Sequence, residues 1–146
     1  MEIVVGSICL KENKILMIKE SKKKCYGKWS FPAGRIEKNE TIFEGAKRET
    51  LEETGCKVEL KKAFPIMVKN DEDLNVMLLY FLADTIVENL KYNTDEILDI
   101  KWMDIEILKG MKDEEFRNPI VTKKIIECIE KGEMYNLEII QNMLNL

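Results

Sequence analysis

Seven residues between Gly34 and Gly55 stand in one register, G-x5-E-x7-R-E-x-x-E-E-x-G, filled by Gly34, Glu40, Arg48, Glu49, Glu52, Glu53 and Gly55. At this chain's own composition a match in any window of the chain arises by chance with a probability on the order of one in a million. On a helix that advances about 100° per residue, Glu49, Glu52 and Glu53 fall on one face, at i, i+3 and i+4. Like charges at that spacing repel and raise the pKa of at least one carboxyl, so the face calls for a bound cation. Oxygen donors suit Mg2+ or Mn2+, which keep open positions for water and for substrate phosphate oxygens. A small phosphorylated molecule is therefore the expected partner.

An isolated E-x-x-E-E is ordinarily a solvated helix face. The surroundings argue otherwise here. Gly34 lies in Phe31-Pro32-Ala33-Gly34, where a turn brings backbone close to the helix, and Gly55 stands where a left-handed cap is expected. Thr41-Ile42-Phe43-Glu44 has the T-x-x-E form of a capping box, so the helix is predicted to start near Thr41 and run to Thr54. Its packing face is Phe43, Ala46, Thr50 and Thr54, turned away from the glutamates.

The segment Gly34–Cys56 resembles the Nudix box of the Nudix (MutT-like) hydrolases, and Gly27-Lys28-Trp29-Ser30-Phe31-Pro32 resembles the approach to it. Thr50 stands where relatives carry an aliphatic residue, and Ala33 and Asn39 where glycine is common. The resemblance implies the Nudix fold, an α/β/α sandwich around a mixed β-sheet, with residues 1–146 as one domain. It implies that Glu49, Glu52 and Glu53, with the carbonyl of Gly34, bind Mg2+ or Mn2+, that Arg48 orients the glutamates, and that Glu40 braces Arg48. The implied reaction is attack of water on phosphorus in a nucleoside diphosphate linked to a further group.

The chain has no histidine, which excludes Ser-His and Cys-His catalysis and His-ligated zinc, so a carboxylate must move the proton. Glu53 is one candidate. Glu96 is a second, because some relatives place a functional glutamate just before the late strand; a surface role at strand entry is an equal alternative. Relatives acting on oxidised purine nucleotides carry base-reading carboxylates where Asp113 and Glu114 stand, although a surface acidic run explains these equally well. Of the rings available to meet a base, Trp29 and Trp102 are placed above ordinary core packing.

A net charge of −4 argues against an extended nucleic-acid or anionic-membrane surface. Lys22-Lys23-Lys24 forms a basic loop for which a solvated turn is favoured over phosphate steering. Four dispersed cysteines without a C-x-x-C pair are expected to be reduced thiols, and the N-terminus lacks the pattern of a signal peptide. These features imply a cytoplasmic location; a homodimer is allowed but not required.

Along the chain, residues 2–10 and 14–19 are predicted to form a hairpin about Lys11-Glu12-Asn13, followed by a strand region at 58–68 broken by Pro65 and a polar turn at 70–73. Residues 76–83 are apolar on both faces, as a central covered strand requires, and residues 97–103 form a strand carrying Trp102. Asn118 as N-cap and Pro119 at the first helical position open a helix running towards Lys131-Gly132, and the tail 134–146 is read as a last helix. The expected activity is Mg2+-dependent cleavage of a nucleoside triphosphate, or an oxidised or damaged nucleotide, to monophosphate and pyrophosphate. The alternatives are an ADP-ribose or nucleotide-sugar pyrophosphatase and a non-catalytic nucleotide sensor.

Overall fold

The computed structural model describes residues 1–70 and 73–144, with side chains to 141. The predicted turn at 70–73 therefore lies partly outside the described residues, as does the end of the tail. Chain order is β1 (Glu2–Lys11), β2 (Lys14–Glu20), β3 (Trp29–Ser30), β4 (Ala33–Arg35), α1 (Ile42–Thr54), β5 (Cys56–Ala63), β6 (Met67–Asn70), β7 (Asn75–Glu88), β8 (Ile97–Asp104), α2 (Ile105–Gly110), α3 (Pro119–Lys131), β9 (Tyr135–Asn136) and α4 (Leu137–Leu144).

Hydrophobic alternation on β2 shows why the sheet is covered twice. Leu16 and Ile18 point into a core shared with Ala46 of α1 and Ile140 of α4, whereas Ile15 and Met17 point into a core shared with Leu108 of α2 and Ile125 of α3. A strand apolar on both faces needs helices on both sides. The result is an α/β/α sandwich. The central pair is β1 with β7, parallel, while β5, β6 and β7 pair antiparallel, so the sheet is mixed. On β7, Leu78, Leu79, Tyr80 and Phe81 are all buried, as expected for a strand covered on both faces.

β1 also places the site. Near the hairpin turn it pairs with β2, at Leu10↔Ile15, and at its other end it pairs with β4, at Val5↔Gly34. Glu12 and Asn13 take positive φ in that hairpin turn. α1 lies across β1 with Ala46, Thr50 and Thr54 fully buried and Phe43 tilted against Phe81 at 5.3 Å between ring centroids. The predicted capping box is formed: Thr41 Oγ1 accepts the Glu44 N–H, and the Glu44 carboxylate accepts the Thr41 N–H. Gly55 ends the helix at φ 77°, and a Cβ there would run into the carbonyl of Asn89, so both backbone conformation and space demand glycine.

Candidate active site

The first turns of α1 pack Ile42, Phe43 and Ala46 into the core, and its later turns carry Arg48, Glu49, Glu52 and Glu53 beside β4. The approach of β4 is set by Gly34, because a side chain there would occupy the space of the Glu49 carboxylate. Asn39, in the loop between them, holds φ 66°, a left-handed conformation that asparagine tolerates and that explains why glycine is common at this position. Thr50, the departure from an aliphatic residue, sits fully buried with its hydroxyl 2.7 Å from that of Ser7 on β1 and donates to the Ala46 carbonyl at 2.7 Å. The hydroxyl thus ties α1 to β1 at the height of the glutamates.

Arg48 organises the cluster. Its Nε and Nη2 donate to the two oxygens of Glu40 at 2.6 and 3.0 Å, a bidentate pair. Nη1 donates to Glu49 at 2.8 Å and to Glu52 at 3.2 Å, and Nη2 also donates to the Arg35 carbonyl at 3.1 Å. The Arg48 contact holds the Glu40 carboxyl below the ordinary range, and the same contacts raise the guanidinium pKa. Burial pushes the Glu49 carboxyl up, with Arg48 opposing it.

Glu53 behaves differently. It is buried to 8% exposure, and its Oε1 accepts the Ala33 N–H at 2.7 Å. Burial raises its pKa to about 8, opposed by that backbone N–H and reinforced by the charges of Glu49 and Glu20. A carboxyl poised there titrates near neutrality, the property a proton acceptor needs.

These residues form one wall of a cleft of about 850 Å3. Glu49, Glu52, Glu53, Gly34 and Glu96 all line it. The donor set of carboxylate oxygens and a close backbone fits a hard divalent cation in type. The carboxylates are not arranged as a closed cage, however: among the described residues no three acidic, cysteine or histidine side chains stand in metal-binding geometry. Arg48 holds Glu49 and Glu52, and Ala33 holds Glu53, so binding a cation requires these side chains to turn.

Four residues proposed to meet the base are placed elsewhere. Trp102 packs against the core on the α1 side and donates its indole N–H to Glu88 at 2.6 Å. Trp29 packs on the opposite side of the sheet under the Lys19 ammonium, 5.6 Å from the ring centroid. Neither lines the cleft: Trp102 belongs to the core on the α1 side, and Trp29 is held beneath Lys19 while its neighbours Lys28, Ser30 and Phe31 line the cleft. Asp113 pairs with Lys123 at 2.6 Å in an exposed turn, and neither it nor Glu114 reaches the cleft. The rings that do line it are Phe31 and Tyr80, in edge contact at 5.6 Å. Burial pushes the Tyr80 phenol up to about 12, so it remains a donor.

Two lining residues were not singled out from the sequence. Glu20, at the end of β2, is 2% exposed and accepts hydrogen bonds from Ser30 Oγ at 2.9 Å and Arg117 Nη1 at 3.3 Å. A charge at a position where β2 should be apolar was the available signal. Arg117 joins it across 97 residues, an encounter that local patterning does not show.

A NUDIX domain model matches residues 2–124. Over 105 residues the chain is 31% identical to the 8-oxo-dGDP phosphatase NUDT18 of Danio rerio, a match covering 69% of this chain and 31% of that protein. It is 29% identical over 143 residues to the phosphatase NudJ of Shigella boydii, covering 94% of this chain and 89% of the relative. The chain thus spans under a third of the length of the first curated relative and most of the second. A NUDIX hydrolase from Nitrosomonas europaea superposes with a TM-score of 0.84 at 25% identity, over 94% of each chain. With Gly34, Glu49, Glu52 and Glu53 of the box lining one cleft and the family model spanning most of the sequence, the chain belongs to the Nudix hydrolases.

Proposed function

We propose that the chain hydrolyses a nucleoside triphosphate, or an oxidised or damaged nucleotide, to a monophosphate and pyrophosphate with Mg2+. One observation carries this reading: Glu49, Glu52 and Glu53 line the same cleft as Lys22, Lys24 and Lys28, so carboxylates and ammonium groups share a space sized for a nucleotide. The name of one relative, an 8-oxo-dGDP phosphatase, supports a phosphorylated nucleotide substrate, and that of another, a phosphatase, supports hydrolysis at phosphorus.

Glu49, Glu52 and Glu53 would hold the divalent ion, which supplies charge neutralisation at the phosphates and acidifies bound water. Arg48 keeps Glu49 and Glu52 on the cleft side of α1 and is itself fixed by Glu40. Glu53 is placed to accept the proton of the attacking water, and its contact with Ala33 N–H ties that carboxyl to the β4 backbone next to Gly34. Glu96 lines the cleft from the loop before β8, beside Ser21, where it can orient water or substrate. Buried free thiols suit a reducing compartment such as the cytoplasm.

The test is product analysis on nucleoside triphosphates, 8-oxo-purine nucleotides, ADP-ribose and nucleotide sugars with Mg2+ or Mn2+. Monophosphate and pyrophosphate from a triphosphate are expected. Turnover confined to ADP-ribose or sugars would replace this reading with the pyrophosphatase alternative. Nucleotide binding without any product would identify a sensor.

A further inference from the structure

The Lys22–Lys28 loop is more than a solvated turn. It is closed by backbone hydrogen bonds from Gly27 N to the Glu20 carbonyl at 2.7 Å and from Glu20 N to the Lys28 carbonyl at 2.8 Å, and braced inside by Cys25 N to the Lys22 carbonyl at 3.1 Å. Cys25 is buried as its plug, and Gly27 turns it at φ 76°. Ser21 N fastens the loop's start to the Glu96 carbonyl at 3.1 Å. The loop is therefore held in one conformation against the cleft, and it presents Lys22, Lys24 and Lys28 there, whereas Lys23 does not line the cleft.

The other cations of the cleft are committed. Arg35 pairs with Glu2, Arg117 with Glu20, and Lys69 donates to Asn118. Among the described residues Lys22, Lys24 and Lys28 make no ion pair or side-chain hydrogen bond. They are available charges next to the carboxylate wall, and the Lys22 ammonium is near enough to favour the ionised forms of Glu49 and Glu53. A phosphate held at that wall lies within the field of Lys22.

We propose that Lys22, together with Lys24 and Lys28, binds the free terminal phosphate of the substrate, so that the cleft selects nucleoside di- and triphosphates over nucleoside diphosphates capped by a sugar. This rests on the hydrolase reading. A terminal phosphate carries close to two negative charges near pH 7, with a second pKa of about 6, and three free oxygens. A sugar-capped phosphate is a diester with one charge and two free oxygens. Fixed lysines therefore gain more from the uncapped group, in the compact point-charge manner of a lysine phosphate contact.

The experiment compares Lys22→Gln, Lys24→Gln and Lys28→Gln with Lys23→Gln, which removes the same charge from the same loop outside the cleft. Each is assayed on a nucleoside triphosphate, the diphosphate and the sugar-capped diphosphate of the same base. Lys22→Gln is expected to lower kcat/KM for the uncapped substrates about ten-fold or more and for the capped one less than about two-fold, with Lys23→Gln near wild type. Equal losses for Lys22→Gln and Lys23→Gln, or equal losses on capped and uncapped substrates, would overturn the proposal. Titration with inorganic pyrophosphate in Mg2+ gives a readout independent of turnover: weaker binding in Lys22→Gln, Lys24→Gln and Lys28→Gln but not in Lys23→Gln supports the lysine site, and unchanged affinity in Lys22→Gln overturns it. Absence of turnover on every substrate with that binding pattern intact would sink the hydrolase reading and leave the lysine site standing.

Discussion

Glu53→Gln keeps the size of the side chain and an oxygen to accept the Ala33 N–H at 2.7 Å, but removes the ionisation. The folded pKa of Glu53 is raised from 4.5 to about 8, chiefly by burial. Between those values the folded protein holds a proton that the unfolded chain has released, so stability falls as pH rises. The contribution is fully present below about pH 4.5 and is lost by about pH 8; the span corresponds to on the order of 5 kcal/mol. For a domain this size each kcal/mol moves Tm by about 2–4 °C. In chelator, the glutamine variant is therefore expected to melt close to wild type at about pH 4.5 and on the order of 10 °C above it at about pH 9. Mg2+ should stabilise wild type more at about pH 8.5 than at about pH 6, because the ion competes with the proton. Thermal melts followed by circular dichroism across pH measure both. A Tm difference that does not change with pH, or a variant less stable than wild type at alkaline pH, would refute the buried-carboxyl argument.

Arg48→Ala strips partners from Glu40, Glu49 and Glu52 at once, and because Glu40 and Glu49 are mostly buried a loss of about 2–4 kcal/mol in urea unfolding is expected, along with a fall in kcat. Thr50→Val fills the same space but severs the contact to Ser7, costing about 1 kcal/mol by the same assay; a neutral result would show that the hydroxyl pair is not what holds α1 to β1. Gly34→Ala displaces the Glu49 carboxylate while leaving the core untouched, so activity should drop about ten-fold or more with Tm near that of wild type.

The parts of the fold that depend on local chemistry were legible in the sequence. Thr41 and Glu44 capped α1, Gly55 ended it, Pro119 opened α3, and Gly132 closed that helix at φ 69°. Pro65 split the region 58–68 into β5 and β6 as its missing N–H requires. The predicted Asn118 cap did not form; its side chain accepts from Lys69 instead. The box was readable because its spacing lies within one helix and one turn. The substrate side was not, because it is assembled from distant pieces: the β2–β3 loop, the turn before α3 and the loop before β8 meet only in the folded sheet. Trp29 and Trp102, the rings placed above ordinary packing, lie outside the cleft lining, which takes Phe31 and Tyr80 instead. A solvated turn is favoured for the lysines because charge runs ordinarily are solvated; the side chains of Lys22, Lys23 and Lys24 are exposed, but the buried Cys25 and the closed backbone fix the loop that carries them, which the charge run itself does not show.

The central claim is that the carboxylate wall of α1 drives metal-dependent cleavage of a phosphoanhydride in this cleft. It is tested most directly by pyrophosphate release from a nucleoside triphosphate under a Mg2+ titration, in wild type, Glu52→Gln and Glu53→Gln. Turnover that saturates with Mg2+, vanishes in chelator and falls by two or more orders of magnitude in both variants is the predicted result. Turnover indifferent to Mg2+, or retained in the glutamine variants, would contradict it.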